Sequence, residues 1–167
     1  VREQELISVL ESINADVQIH GCLLFRPLPE HLNTPAVLGA LRPEKDIDAM
    51  TSASMGGLMV RGTPGFPPCT ATACMELLEY YQVELQGRNV VMVGAGTTVG
   101  MPTAILLMNR GATVSVCNIY TDPKRMIELC RGADLIISAA GKAGLIGRDH
   151  LSPGQIVIDV GLSLGPD

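Results

Sequence analysis

Two hydrophobic patterns divide the chain. In residues 2–14, Leu6, Ile7, Val9, Leu10 and Ile13 recur at the spacing of one helical face, which predicts an amphipathic helix. Residues 17–25 read as a strand ending in Phe25. Arg26-Pro27-Leu28-Pro29 stops it, because proline cannot donate to a sheet ladder. A helix over 34–41 follows, with Thr34 as N-cap and Pro35 at the first helical position. Residues 42–68 are irregular, yet too rich in Met, Ile and Leu for a floppy linker. They are expected to lie against a cleft, with a helical turn near 54–60. The next helix is predicted over 70–81, with Thr70 as N-cap and Ala73, Leu77, Leu78 and Tyr81 on its apolar face.

The second half changes period. Short aliphatic runs at 89–93, 113–117, 135–138 and 156–160 alternate with helical patterns at 99–109 and 122–131 and a short one near 148–151. Strands alternating with helices predict a parallel sheet with right-handed crossovers. The expected fold class is α/β. A Rossmann-like parallel-sheet domain over 71–167 is preceded by part of a smaller α/β substrate domain over 1–70. The cleft between two such lobes is where a cofactor and a second substrate would meet.

Composition narrows this picture. The 167 residues are 47% hydrophobic and 17% charged, enough for a substantial core. Aromatics make up 3% and Trp is absent, so the core must be aliphatic, as in buried parallel sheets. The net charge is −5 with no Lys/Arg run, which argues against a nucleic-acid partner. The five Cys include no Cys-x-x-Cys pair, which argues against a zinc site or disulfide framework and for a reducing compartment. His20, His31 and His150 are dispersed, so no metal cluster emerges. No apolar stretch is long enough to span a membrane and no signal peptide is visible, so a cytoplasmic protein is expected, with a mitochondrial location left open. The chain opens on Val and stops soon after its last predicted strand, as a fragment or trimmed piece would.

The richest chemical signal is Asn89 through Gly100, NVVMVGAGTTVG. An apolar strand enters a glycine turn and leaves as a helix. Gly94 and Gly96 permit unusual backbone angles and close ligand approach, and the helix start supplies free N–H groups for a pyrophosphate. The plain alternative is a glycine turn that only packs a helix on a sheet. After the second strand, Asn118 offers a hydrogen bond to a ribose hydroxyl, or is simply a polar strand end; Asp122 reads as an N-cap. Small residues Ala139, Ala140 and Gly141 after the third strand, and Gly161 after the fourth, suggest close backbone approach to a cofactor. Lys142 reads as a solvated loop residue and Asp159 as a buried structural one. Tyr120-x-x-x-Lys124 has the spacing of short-chain dehydrogenases but the wrong position, and is taken as coincidence. In Glu44-Lys45-Asp46-Ile47-Asp48, alternation puts Asp46 and Asp48 on one side if the segment is extended. A carboxylate there could bind an amine or amide edge, although on charge alone a solvated loop is the better reading.

In chain order, Arg26-Pro27-Leu28-Pro29-Glu30-His31, Arg42-Pro43-Glu44-Lys45-Asp46-Ile47-Asp48, Pro68-Cys69-Thr70, Val93-Gly94 to Val99-Gly100, and Val157-Ile158-Asp159-Val160-Gly161 recur together. Their order and spacing resemble those of the bifunctional methylenetetrahydrofolate dehydrogenase/methenyltetrahydrofolate cyclohydrolases, over nearly the whole chain. The resemblance implies a two-lobed α/β protein, a homodimer formed through the nucleotide-binding lobe, a folate substrate and a nicotinamide cofactor. It implies that Asp48 grips the pterin and that Thr70 lies near the cleft. Gly94, Ala95, Gly96, Thr97, Thr98 and Val99 would form the pyrophosphate loop, and Ala140, Gly141 and Gly161 would border the nicotinamide.

The sequence also departs from the family. Phe25 stands where a catalytic Gln is expected, and the family's Tyr-x-x-x-Lys would lie upstream of Val1, so no catalytic residue is assigned. Ala49 replaces the glycine after the second Asp. Ala95-Gly96 and Asn118-Ile119 replace an Arg-Ser and a His-Ser pair that read the phosphate of NADP, so NAD is favoured. Two alternatives stay open: a non-catalytic or truncated paralogue serving as a binding or dimerisation module, and an unrelated Rossmann dehydrogenase.

Overall fold

The structure, a computed structural model, describes residues 1–60 and 65–162. It divides into two compact units, Val1–Cys69 and Thr70–Asp167.

The first unit is built on helices. α1 (Glu3–Ala15) and α2 (Thr34–Gly39) pack around Leu10, Val37, Leu41 and Met50, with Leu6, Ile7, Ile13 and Leu24 around them. A 3-10 turn (Pro43–Lys45) and the short α3 (Ser52–Gly57) follow. α2 is capped by Asn33, whose side chain accepts from the N–H of Ala36, so Thr34 is the first helical residue and Pro35 the second. The expected strand over 17–25 does not form. The segment alternates like a strand, with Cys22 and Leu24 against the core and Leu23 and Phe25 outward, but its pairing is one parallel bridge, Cys22 to Asp46. Without a ladder partner along its length, the alternation alone cannot make a strand.

The second unit is a parallel sheet of order β2-β1-β3-β4. Its strands are β1 (Asn89–Val93), β2 (Thr113–Cys117), β3 (Leu135–Ser138) and β4 (Ile156–Asp159). In register, Val91 faces Ser115 on one side and Ile136 on the other, and Ile136 faces Val157. Side chains alternate across the pleat. Val90, Met92, Leu135 and Ile137 therefore pack on one face with Cys74, Leu78 and Leu107, from α4 (Cys69–Tyr80) and α5 (Gly100–Asn109). Val91, Val93 and Ile136 pack on the other with Met126 and Cys130 of α6 (Pro123–Arg131). Burial on both faces is why β1 reads as an unbroken apolar run.

Asp122 caps α6 by accepting from the N–H of Arg125, as expected. α4 begins at Cys69, so Thr70 lies inside the helix; of the predicted face, Leu78 is buried and Leu77 exposed.

Candidate functional site

The glycine turn lies at the carboxyl end of β1, where parallel α/β sheets present their ligands. Gly94 has φ +110°, and a Cβ there would come within 2.8 Å of the Ala139 carbonyl carbon and oxygen. A Cβ on Gly100 would collide with the Gly94 carbonyl. These two glycines let the turn, β3 and α5 close on one another. Gly96 differs from the expectation. Its φ is not positive, and a Cβ would meet nothing within 4 Å, so open space rather than backbone strain surrounds it.

The turn leaves donors unspent. The N–H of Gly94 goes to Cys117 O, that of Met101 to Gly96 O and that of Thr103 to Val99 O. Among the described residues no backbone acceptor takes the N–H groups of Ala95 through Gly100. Val99, which precedes α5, offers no side-chain cap. A run of free N–H groups beside a helix start carries positive potential and suits phosphate oxygens.

Beside this turn opens a cavity of about 750 Å³. Gly94, Ala95 and Gly96 line it from the turn, Asn118 and Ile119 from the loop after β2, and Ala139, Ala140 and Lys142 from the loop after β3. Met126, Ile127 and Leu145 supply apolar surface, and His150 also lines it. The volume fits a small-molecule site. A second cavity of about 570 Å³ lies at the amino ends of β3 and β4, away from the ligand-presenting edge.

The expected cofactor residues divide by position. Thr97 and Thr98 are exposed and lie outside the lining of this cavity. Asn118 lines it, but its side-chain oxygen accepts from the N–H of Tyr120, and its own N–H donates to the Thr121 hydroxyl, 2.9 Å each. Its side-chain amide therefore meets the cavity chiefly as a donor. Ile119 and Tyr120 are each 88% exposed. Gly141 and Gly161 border a separate cavity of about 200 Å³ with Ser138 and Asp159. Asp159 is exposed rather than buried: on the edge strand its Oδ1 accepts from the N–H of Gly161 at 3.0 Å. His150 was not among the expected cavity residues; Lys142 is exposed, as expected of a solvated loop residue, and also borders the cavity. A loop cation carries no periodic signal, and a lone His gives no pattern.

In the first unit, Asp46 and Asp48 do not share a side. Asp46 is extended in its bridge to Cys22, and the chain turns at Ile47 and Asp48, which ends the extended geometry that alternation requires. Asp46 is wholly buried; one oxygen accepts from Met50 N at 2.9 Å and the other from Thr51 N at 2.8 Å. Burial pushes the Asp46 carboxyl up, but those N–H groups and the hydroxyls of Ser54 and Thr51 hold it below its ordinary value. Between the two carboxylates and these N–H groups, Ala49 takes φ +48°, a conformation that glycine adopts without strain. Lys45 donates to the carbonyls of Ile13 and Asp16 at the end of α1. Asn14 ties the same end to Ala40 O and Arg42 N.

Asp48 is left partly open. Its Oδ1 accepts from Cys69 N, the first N–H of α4, at 2.8 Å, so a residue distant in sequence does what Thr70 was expected to do. Its Oδ2 lies 3.9 Å from the Arg26 guanidinium. Thr70 is exposed on the first turn of α4. Phe25, 84% exposed, presents no hydrogen-bonding group. All five cysteines are free thiols, and burial raises the Cys130 thiol to about 11. Among the described residues no His, Cys, Asp and Glu grouping could hold a metal ion, and no helix is long and apolar enough to cross a membrane.

The parallel sheet, the glycine turn with unspent N–H groups and the cavity at the strand ends define a Rossmann-like dinucleotide-binding unit. Known proteins agree. Residues 68–165 match the tetrahydrofolate dehydrogenase/cyclohydrolase NAD(P)-binding domain, and residues 1–48 match the catalytic domain of that name. The chain belongs to the tetrahydrofolate dehydrogenase/cyclohydrolase family. It is 40% identical to the bifunctional protein FolD of Carboxydothermus hydrogenoformans across all of this chain and 58% of that protein. The FolD enzyme of Campylobacter jejuni superposes with a TM-score of 0.91 at 40% identity, over 96% of this chain and 56% of the other. The Trypanosoma brucei dehydrogenase-cyclohydrolase, solved with NADP and an inhibitor, superposes at 0.90 with 37% identity, over 96% and 55%. The chain thus spans somewhat more than half the length of the relatives it matches.

Proposed function

We propose that this chain carries the nicotinamide-dinucleotide site and part of the folate site of a methylenetetrahydrofolate dehydrogenase. The observation that carries the reading is the row of free N–H groups from Ala95 to Gly100, whose first residues, Ala95 and Gly96, line the cavity at the end of β1. Those groups would hold the pyrophosphate, and Ile119, Met126, Ile127 and Leu145 offer apolar surface to a flat base. Hydride would pass from the methylene carbon of 5,10-methylenetetrahydrofolate to the nicotinamide. Water would then open the resulting methenyl product where the intact protein has cyclohydrolase activity. Asp48 and Thr70 are the proposed folate contacts. Ala140, Gly141 and Gly161 are proposed for the nicotinamide side, with Asn118 near the adenosine ribose.

NAD is the proposed cofactor over NADP. The loop after β2 reads the ribose 2′ position in such folds. Here Asn118, Ile119 and Tyr120 bring no cation, and neither do Ala95 and Gly96. Lys142 and His150 stand on the β3 side of the cavity. A cytoplasmic homodimer without nucleic-acid or membrane partners completes the proposal. The net charge of −5 supports the absence of nucleic acid, and exposed Ile156 and Val157 on edge strand β4 support self-association.

The test is a spectrophotometric assay of 5,10-methylenetetrahydrofolate oxidation. Reduction of NAD that depends on the folate is expected. Turnover with a different substrate, and none with the folate, would contradict the assignment.

A further inference from the structure

Arg26 is unused by the reading above. Its side chain is 24% exposed, yet among the described residues its guanidinium donates to no hydrogen-bond acceptor. Its charged neighbour is Asp48 Oδ2 at 3.9 Å, well beyond the 2.7–2.9 Å typical of a charge-assisted hydrogen bond. Asp48, itself 19% exposed, spends Oδ1 on Cys69 N and has the Cys69 thiol beside its carboxylate, while Oδ2 faces Arg26 in a loose ion pair. A fork of donors and a carboxylate oxygen therefore stand side by side as a loose ion pair without a direct hydrogen bond, and both are largely withdrawn from solvent.

Such a pair suits a ligand edge with donors and an acceptor next to one another. A pterin has this edge: the 2-amino group and N3–H donate, and the 4-oxo oxygen beside them accepts. We infer, resting on the folate reading, that Arg26 is a specificity-determining residue whose guanidinium takes the 4-oxo oxygen while Asp48 Oδ2 takes the adjacent N–H donors. A 4-amino pteridine would turn a donor toward the guanidinium, leaving two donors facing each other.

The experiment is equilibrium binding of tetrahydrofolate and its 4-amino-4-deoxy counterpart to the whole chain and to Arg26→Met, Arg26→Lys and Asp48→Asn. Wild type should prefer the 4-oxo ligand by about tenfold, the factor that about 1.4 kcal/mol confers. Arg26→Met should bring that ratio near one, Arg26→Lys should restore part of it, and Asp48→Asn should weaken both ligands. An unchanged ratio in Arg26→Met overturns the role of Arg26 and leaves the folate reading standing. Tighter tetrahydrofolate binding by that variant does the same, because the guanidinium would then be competing for Asp48. Failure of wild type to bind either pteridine overturns the folate reading and this inference together.

Discussion

From Thr70 onward the backbone fixes itself: β1 is paired along both sides, and the glycine turn is set by contacts between main-chain atoms of Gly94, Ala139 and Gly100. Before Thr70 the backbone is fixed by side chains. Asp46 holds Met50 and Thr51, Lys45 and Asn14 hold the end of α1, and Asp48 holds Cys69. The comparison teaches where each unit is vulnerable. A sheet-mounted site fails when a side chain intrudes on packed backbone. A loop held by carboxylates fails when a charge is removed or protonated.

The largest effect should follow from placing a Cβ where the second unit has no room. Gly100→Ala, whose methyl meets the Gly94 carbonyl, should cost roughly 3 kcal/mol or more in urea unfolding. Gly96→Ala, in open space, should stay within about 0.5 kcal/mol. Equal losses would mean that the turn is not set by backbone contact.

Removing a buried carboxylate attacks the first unit. Asp46→Ala strands two backbone N–H groups and should cost about 2–3 kcal/mol by the same measurement. The pH dependence has a definite sign. The Asp46 carboxyl titrates lower folded than unfolded, so its contribution is full above the unfolded value near about 4 and is lost as pH falls through the folded value. Asp46→Asn should flatten that acid limb in a stability–pH series; an unaltered limb would place it elsewhere.

Asp48→Ala should be milder for folding, about 1 kcal/mol for the lost cap on α4, while folate binding weakens sharply. Loss of the folded circular-dichroism signal would make Asp48 structural, like Asp46.

Legibility in the sequence follows the same division. Asn89–Val93 and Leu135–Ser138 are readable because a strand buried on both faces must be apolar throughout, and the helices between carry their own period. Residues 17–25 mislead because strand character depends on partners elsewhere in the chain, and here the pairing is the Cys22–Asp46 bridge. The α4 start is misread at Thr70 because its first N–H is satisfied from Asp48, which no local cap rule can see. In the candidate site, the glycine turn was legible as a motif, but not which glycines are sterically required. The separate fates of Asp46 and Asp48 depend on the turn at Ile47 and Asp48 and on the positive φ of Ala49, both tertiary outcomes.

The central claim is that free N–H groups of the turn hold a dinucleotide, and that the loop after β2 brings no group to read a 2′-phosphate. Calorimetric titration of the chain with NAD and then NADP tests it most directly. Saturable binding of both is expected, with NAD the tighter. Absence of binding would reduce the turn to a packing device, and equal or tighter NADP binding would contradict the reading of Ala95, Gly96, Asn118 and Ile119.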